Sequence, residues 1–177
     1  ADLSSARDRT GLVTDPSLNA PIDVLVSLVG VLPGRPLNDY DDALVDQVMQ
    51  VNFSALAKTV RDLLPKMGDR SVILFLGSVS GERGSFDPIY AASKGALAAF
   101  AKSLAAWKKG RVRANIISPS LIESSTMYED MAPDRRAFHA QANPSGELVQ
   151  SEDLAGVIFD LTLPHWKHVN GTVIRVN

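Results

Sequence analysis

SVILFLGSVSG, residues 71–81, followed by PIYAASKGALAAFAKSLAAW, residues 88–107, decides how this chain folds. Residues 71–76 are an unbroken apolar run, which predicts a strand buried on both faces and ended by Gly77. Residues 78–87 are rich in Gly and Ser and read as a loop. Pro88 suits the first turn of a helix, and the alanine-rich run behind it reads as one helix to about Lys109, closed by Gly110. The unit is strand, loop, helix.

The same alternation extends in both directions. Residues 22–29 are another apolar, β-branched run and predict an earlier strand, also buried on both faces. Residues 31–39 hold two Pro and a Gly, hence a loop. Asp41 or Asp42 can cap a helix to about Met67, with Leu44, Val48, Val51, Leu56 and Val60 near helical spacing. Downstream, residues 112–117 (VRANII) predict a strand, with Pro119 ending it. Residues 121–146 are polar, dotted with Met and Pro, and irregular apart from short helices. Ser151 with Glu152 and Asp153 starts a helix to about Leu161, and residues 172–176 (TVIRV) predict the last strand. Strands alternating with helices imply an α/β fold built on a parallel sheet. No internal repeat or linker divides residues 1–177, so they read as a single domain.

Composition narrows the function classes. Of 177 residues, 45% are hydrophobic and 21% charged, which argues for a globular core and against disorder. Eighteen basic against 20 acidic side chains leave a net charge of −2, no electrostatic footprint for nucleic acid or an anionic membrane. There is no cysteine, hence no disulfide framework, thiolate nucleophile or Cys-based zinc site. No apolar run approaches the ~18 residues that a spanning helix needs. His139, His165 and His168 lie at no metal-ligand spacing with an acidic partner, so no metal site is expected.

In a parallel α/β sheet, ligands bind beyond the carboxyl ends of the strands. Ser27 and Gly30 fall there after one strand, Gly77, Ser78 and Ser80 after the next, and Ser118, Pro119 and Ser120 after the third. Tyr90 and Lys94 are four apart at the start of the long helix and so share a face. A free phenol, with a pKa near 10, is a poor proton donor and acceptor at neutral pH. A neighbouring ammonium and the positive helix end favour the phenolate and are expected to bring that pKa down. Ser78, twelve residues upstream of Tyr90, can hydrogen-bond the same substrate oxygen. Y-x-x-x-K alone is common on exposed helix faces; the order strand, GSVSG, loop, YAASKGAL, strand, Pro119 is a demanding combination. Arg83 is a further candidate substrate contact, whereas Arg135 and Arg136 read as a solvated face.

Through Val51-Asn52, Gly77–Gly81, Tyr90–Lys94, Ser118–Ile122 and Asn170–Thr172, the sequence resembles the short-chain dehydrogenase/reductase family over almost its whole length. The resemblance implies a Rossmann-like, doubly wound parallel sheet in three α/β/α layers. It implies NAD or NADP as cofactor, and a small-molecule carbonyl or alcohol as substrate. The catalytic tetrad carries over as Asn52, Ser78, Tyr90 and Lys94. Tyr90 then exchanges a proton with the substrate oxygen, Ser78 polarises it, and Ser80 stands near as a substrate contact. Lys94 lowers the Tyr90 pKa and holds the nicotinamide ribose, and Asn52 anchors a water in a proton relay. Asp2 with Leu3, Gly30, Tyr90, Lys94, Pro119, Ile122 and Ser124 are the implied cofactor contacts, and residues 121–146 the substrate-binding loop. A homodimer or homotetramer in the cytoplasm, without nucleic-acid or membrane partners, completes the expectation.

Three departures stand against that pattern. Ser27-Leu28-Val29-Gly30 replaces the family's Asn-Asn-Ala-Gly, and Pro119-Ser120 replaces Pro-Gly. No G-x-x-x-G-x-G turn is present, so the glycine-rich start of the family's fold, with its first strands and helices, is expected to be missing from this chain. An alternative expectation is therefore a binding or signalling protein on the same scaffold, without cofactor chemistry.

Overall fold

The computed structural model describes residues 2–177. Four strands, β1 (Ile22–Ser27), β2 (Met67–Leu76), β3 (Val112–Pro119) and β4 (Val173–Val176), pair in parallel in the order β1-β2-β3-β4. The helices are α1 (Ala6–Val13), α2 (Asp42–Met49), α3 (Ala55–Leu63), α4 (Ser80–Arg83), α5 (Pro88–Trp107), α6 (Thr126–Glu129), α7 (Pro133–Ala142) and α8 (Ser151–Thr162). The period of two along β2 sorts its side chains to two layers. Ile73 and Phe75 pack with Leu56 and Val60 of α3 and Leu97, Ala101 and Leu104 of α5. Val72 and Leu74 pack on the opposite face with Leu154 and Leu161 of α8. Phe100 stacks at a tilt on Phe75, with ring centroids 5.9 Å apart, and so sets the seat of α5 on the sheet. Helices on both faces of a parallel sheet are the expected three-layer, Rossmann-like arrangement. None of them is long and apolar enough to cross a membrane, among the described residues.

Four readings need correction. Residues 22–29 do not make a strand buried on both faces: β1 ends at Ser27, lies at the sheet edge, and leaves Val24 and Val26 41% and 36% exposed. An apolar run reports that a strand is suited to burial, not which neighbour covers it. The single helix expected to reach about Met67 is four successive segments. A π-helical turn at Gln50–Ser54 separates α2 from α3, a short 3-10 turn follows, and Met67 already belongs to β2. Residues 78–87 are not all loop, because α4 forms at Ser80–Arg83. Finally α1, packed on α3, occupies a stretch for which no element was expected.

The polar residues inside β3 have structural work. The buried Arg113 guanidinium donates to the carbonyls of Leu161 at 2.8 Å and Val169 at 3.3 Å, closing the exposed carbonyl end of α8. Asn115 donates to the Val169 carbonyl at 2.9 Å and accepts from the Thr172 N–H at 3.1 Å. Asn170 accepts from the Ala114 N–H at 2.9 Å, so the turn into β4 is pinned from both sides. Residues 124–148 form a lobe whose two ends meet, Ile122 bridging to Val149 and the Gln150 amide donating to the Glu123 carboxylate.

Candidate active site

Sharp turns at the carboxyl ends of β2 and β3 create the site. Gly77 donates to the Ile117 carbonyl at 2.7 Å, and a Cβ there would run into the Ile116 side chain. That close crossing delivers Ser78 to the rim, where its hydroxyl accepts from the Ser80 N–H at 3.2 Å. Gly81 then passes directly over α5: a Cβ would lie 2.9 Å from the Gly95 nitrogen and the Lys94 carbonyl carbon. Both obstacles are helix backbone and cannot swing aside. Gly81→Ala is therefore expected to cost about 2 kcal/mol of stability and, by parting Ser78 from α5, about tenfold or more in turnover. Denaturant titration beside steady-state rates checks both.

Tyr90 and Lys94 occupy the first turns of α5, 7% and 4% exposed. The Lys94 ammonium donates to the Leu76 carbonyl at 2.8 Å and lies 5.8 Å from the Tyr90 ring centroid. Burial raises the Tyr90 pKa above its ordinary value, the Ser78 hydrogen bond lowers it in part, and the Asp87 charge raises it again. Burial also pushes Lys94 down to about 8. The expected downward pull of Lys94 is not what sets the Tyr90 pKa, which lies above its ordinary value. Removing both groups from water disfavours the phenolate and the ammonium alike, and the direction at Tyr90 is upward.

Asn52 projects from the π-helical turn and is fully buried. Its Oδ1 accepts from the Val31 N–H at 2.7 Å, and its Nδ2 donates to the Val31 carbonyl and to Ser93 Oγ, both at 2.9 Å. Ser93 in turn donates to the Tyr90 carbonyl at 2.7 Å. Both N–H groups of Asn52 are thereby spent on protein, which leaves only acceptor capacity for a water. Gly30 lies against this pair, because a Cβ would stand 3.0 Å from Lys94 Nζ and 3.5 Å from Asn52 Oδ1. Ser78, Tyr90, Lys94, Asn52 and Gly30 thus come together.

The other expected residues are more scattered. Ser80 opens α4 beside Ser78. Pro119 ends β3, Ile122 sits on the bridge to Val149, and Ser124 turns the chain with a positive φ of 59°. The Asp2 carboxylate is engaged by the N–H and hydroxyl of Ser4, and Leu3 packs toward the core formed with α3. Among the described residues no hydrogen bond joins Asp2 or Leu3 to Ser78, Tyr90 or Lys94. A groove of about 590 Å³ between α3 and α5 opens elsewhere, at the amino ends of β2 and β3 near Met67, Gly68 and Val112.

Two orphaned atoms bear on a dinucleotide. The hydroxyls of Ser27, at the end of β1, Ser120, just beyond β3, and Ser71, within β2, are buried with no hydrogen-bond partner, and the first two lie at the carboxyl ends of their strands. Buried polar atoms are rarely left so. The place of Ser27 and Ser120 at the carboxyl ends of the strands, beside the side-chain-free Gly30, fits a polar ligand crossing the sheet. Ser93 and Asp87 are contacts that sequence reasoning overlooked. Asp directly before Pro at a helix start is an N-cap signal that marks Asp87.

A parallel α/β sheet carrying a buried Tyr–Lys pair and a serine at its carboxyl end defines a class of nucleotide-linked scaffold, and comparison with known proteins agrees. Residues 9–177 match the family described as Enoyl-(Acyl carrier protein) reductase. The chain is similar to a galactitol 2-dehydrogenase (L-tagatose-forming) of Cereibacter sphaeroides, 29% identical over 100% of this chain and 72% of that protein. It is 31% identical to mouse (Mus musculus) dehydrogenase/reductase SDR family member 4, over 98% of this chain and 65% of the other. Among solved structures, a Brucella melitensis short-chain dehydrogenase/reductase named as a glucose/ribitol dehydrogenase superposes with a TM-score of 0.92. It shares 28% identity over 100% of this chain and 73% of its own. An angucycline C-6 ketoreductase solved with NADP superposes at 0.81, with 25% identity over 88% of this chain and 61% of its own. The chain belongs to the short-chain dehydrogenase/reductase family. It is an NAD(P)-dependent oxidoreductase.

Proposed function

We propose that this protein interconverts a carbonyl and an alcohol, with Tyr90 as the acid/base. The observation that carries the reading is the buried Tyr90 phenol, one helical turn from the buried Lys94 ammonium, with the Gly77 turn bringing Ser78 to the same carboxyl end of the sheet. A galactitol dehydrogenase and a ketoreductase among the similar proteins support the carbonyl–alcohol chemistry.

The nicotinamide, when bound, supplies or accepts the hydride; the protein contributes position and charge. Lys94, Gly30, Pro119, Ile122 and Ser124 would hold it, with the unpartnered hydroxyls of Ser27 and Ser120 beside them. In the reducing direction Tyr90, neutral because burial raises its pKa, donates its phenolic proton to the forming alkoxide. Ser78 donates to the same substrate oxygen and so stabilises the charge that gathers there. Lys94 places a cation one turn away, where it steadies the phenolate left behind. Asn52, through Ser93, fixes the Tyr90 backbone and the segment at Val31.

In this reading residues 121–146 cover the substrate, and the protein works as a cytoplasmic homodimer or homotetramer. Titration of the purified protein with NADPH and NADH, followed by nicotinamide fluorescence, tests the reading. Saturable binding of at least one is expected. Binding of neither would transfer the reading to a non-catalytic member of the same scaffold.

A further inference from the structure

One buried carboxylate joins the helix of Tyr90 to a distant loop. Asp87 is 2% exposed and caps α5, its Oδ1 accepting from the Tyr90 N–H at 2.9 Å. The same oxygen accepts from the Tyr40 hydroxyl at 2.7 Å. Its Oδ2 accepts from the backbone N–H groups of Gly34 at 3.0 Å and Arg35 at 3.2 Å. Four donors from two chain segments meet on one side chain, and no Lys or Arg side chain forms an ion pair with it among the described residues. The segment it holds, residues 31–40, runs on from Gly30, which lies against Lys94.

We propose that Asp87 is a positioning residue for the reaction: it clamps the 31–40 segment to the first turn of α5, so that Tyr90, Lys94 and the loop beside them keep one geometry through turnover. The inference rests on the oxidoreductase reading of the site. A helix cap alone does not need this residue, because Ser or Thr caps as well. Only a carboxylate offers acceptors on both oxygens. Asparagine would turn an N–H group toward either the helix or the loop donors, leaving one side repelled.

The surrounding groups agree. Burial first, and then the Asp87 hydrogen bond and charge, hold Tyr40 well above the ordinary phenol range, while Arg35 opposes them; Tyr40 stays a donor. Tyr90 feels the same Asp87 charge, against the Ser78 hydrogen bond, with the Lys94 ammonium near its ring. Removing the charge therefore lowers the Tyr90 pKa as well as freeing the loop.

Asp87→Ser separates the two roles, because it keeps the cap and loses the reach to Gly34, Arg35 and Tyr40. Expected is a fall in kcat of about tenfold or more, with NADPH affinity held within about twofold and the α5 fold retained. The acidic limb of the alcohol-oxidation pH profile should also move to lower pH. Wild-type kcat and an unmoved profile would overturn the proposal and leave Asp87 a cap only. Should Asp87→Ser fail to fold, Tyr40→Phe removes one clamp bond alone and is expected to lower kcat by a few-fold; an unchanged kcat there overturns the proposal equally. Amide exchange keeps the inference distinct from the activity on which it rests. Faster exchange at Gly34 and Arg35 in Tyr40→Phe supports the clamp even in a protein with no turnover, and unchanged exchange overturns it.

Discussion

Tyr90→Phe is expected to lower turnover by about 10³-fold while leaving the fold and NAD(P)H binding in place. The ring is buried, and Phe fills the same volume, so no cavity opens. What disappears is one buried hydroxyl and the acidic proton it carries. The stability change should be about 1 kcal/mol. The two effects differ so much in size that a thermal melt and a steady-state assay on one preparation distinguish them. Retention of full turnover would remove Tyr90 from the chemistry and with it the proposed direction of proton flow.

Lys94→Met should move stability and activity in opposite directions. Burial lowers the Lys94 pKa from 10.5 to about 8, so the unfolded chain binds this proton more tightly than the folded one. Below about pH 8 the folded protein bears the full cost of holding a buried ammonium. As pH rises from about 8 to 10.5 the cost shrinks to nothing, and stability climbs with it. The shift corresponds to roughly 3 kcal/mol, offset by roughly 1–2 kcal/mol from the hydrogen bond to the Leu76 carbonyl. Lys94→Met is therefore expected to be about 1–2 kcal/mol more stable than wild type near pH 7, with the advantage fading toward pH 10.5. Its turnover should drop about 10²-fold or more, because no cation remains to steady the Tyr90 phenolate. Urea denaturation at pH 7 and pH 10 measures the first effect. A variant equally destabilised at both would show that the Leu76 contact outweighs desolvation. In the wild type, carbonyl reduction should decline above about pH 8 as the ammonium is lost.

The price of a buried cation explains why a Lys–Tyr pair is informative on a sheltered helix face and uninformative on an exposed one. From the chain alone the four-residue spacing places Tyr90 and Lys94 together, and GSVSG places Ser78 near a strand end. Spacing says nothing about depth. Depth is what reverses the expected direction of the Tyr90 pKa, and it follows from how other elements pack on α5. Asn52 shows the same division. Its position in a helical run was readable, but the π-helical turn that aims it at Val31 was not, because one extra residue in a turn leaves almost no trace in apolar periodicity.

The alternation of strands with helices and the parallel sheet were determined by sequence alone, because both follow from local periodicity, Gly and Pro punctuation, and motif order. Tertiary structure decided the rest: the crossing of Gly81 over α5, the Asn52–Val31 pairing, and the convergence of Gly34, Arg35, Tyr40 and Tyr90 on Asp87. These contacts join residues up to 53 positions apart. Which of many polar groups meets which depends on how whole elements pack, and no local pattern carries that information.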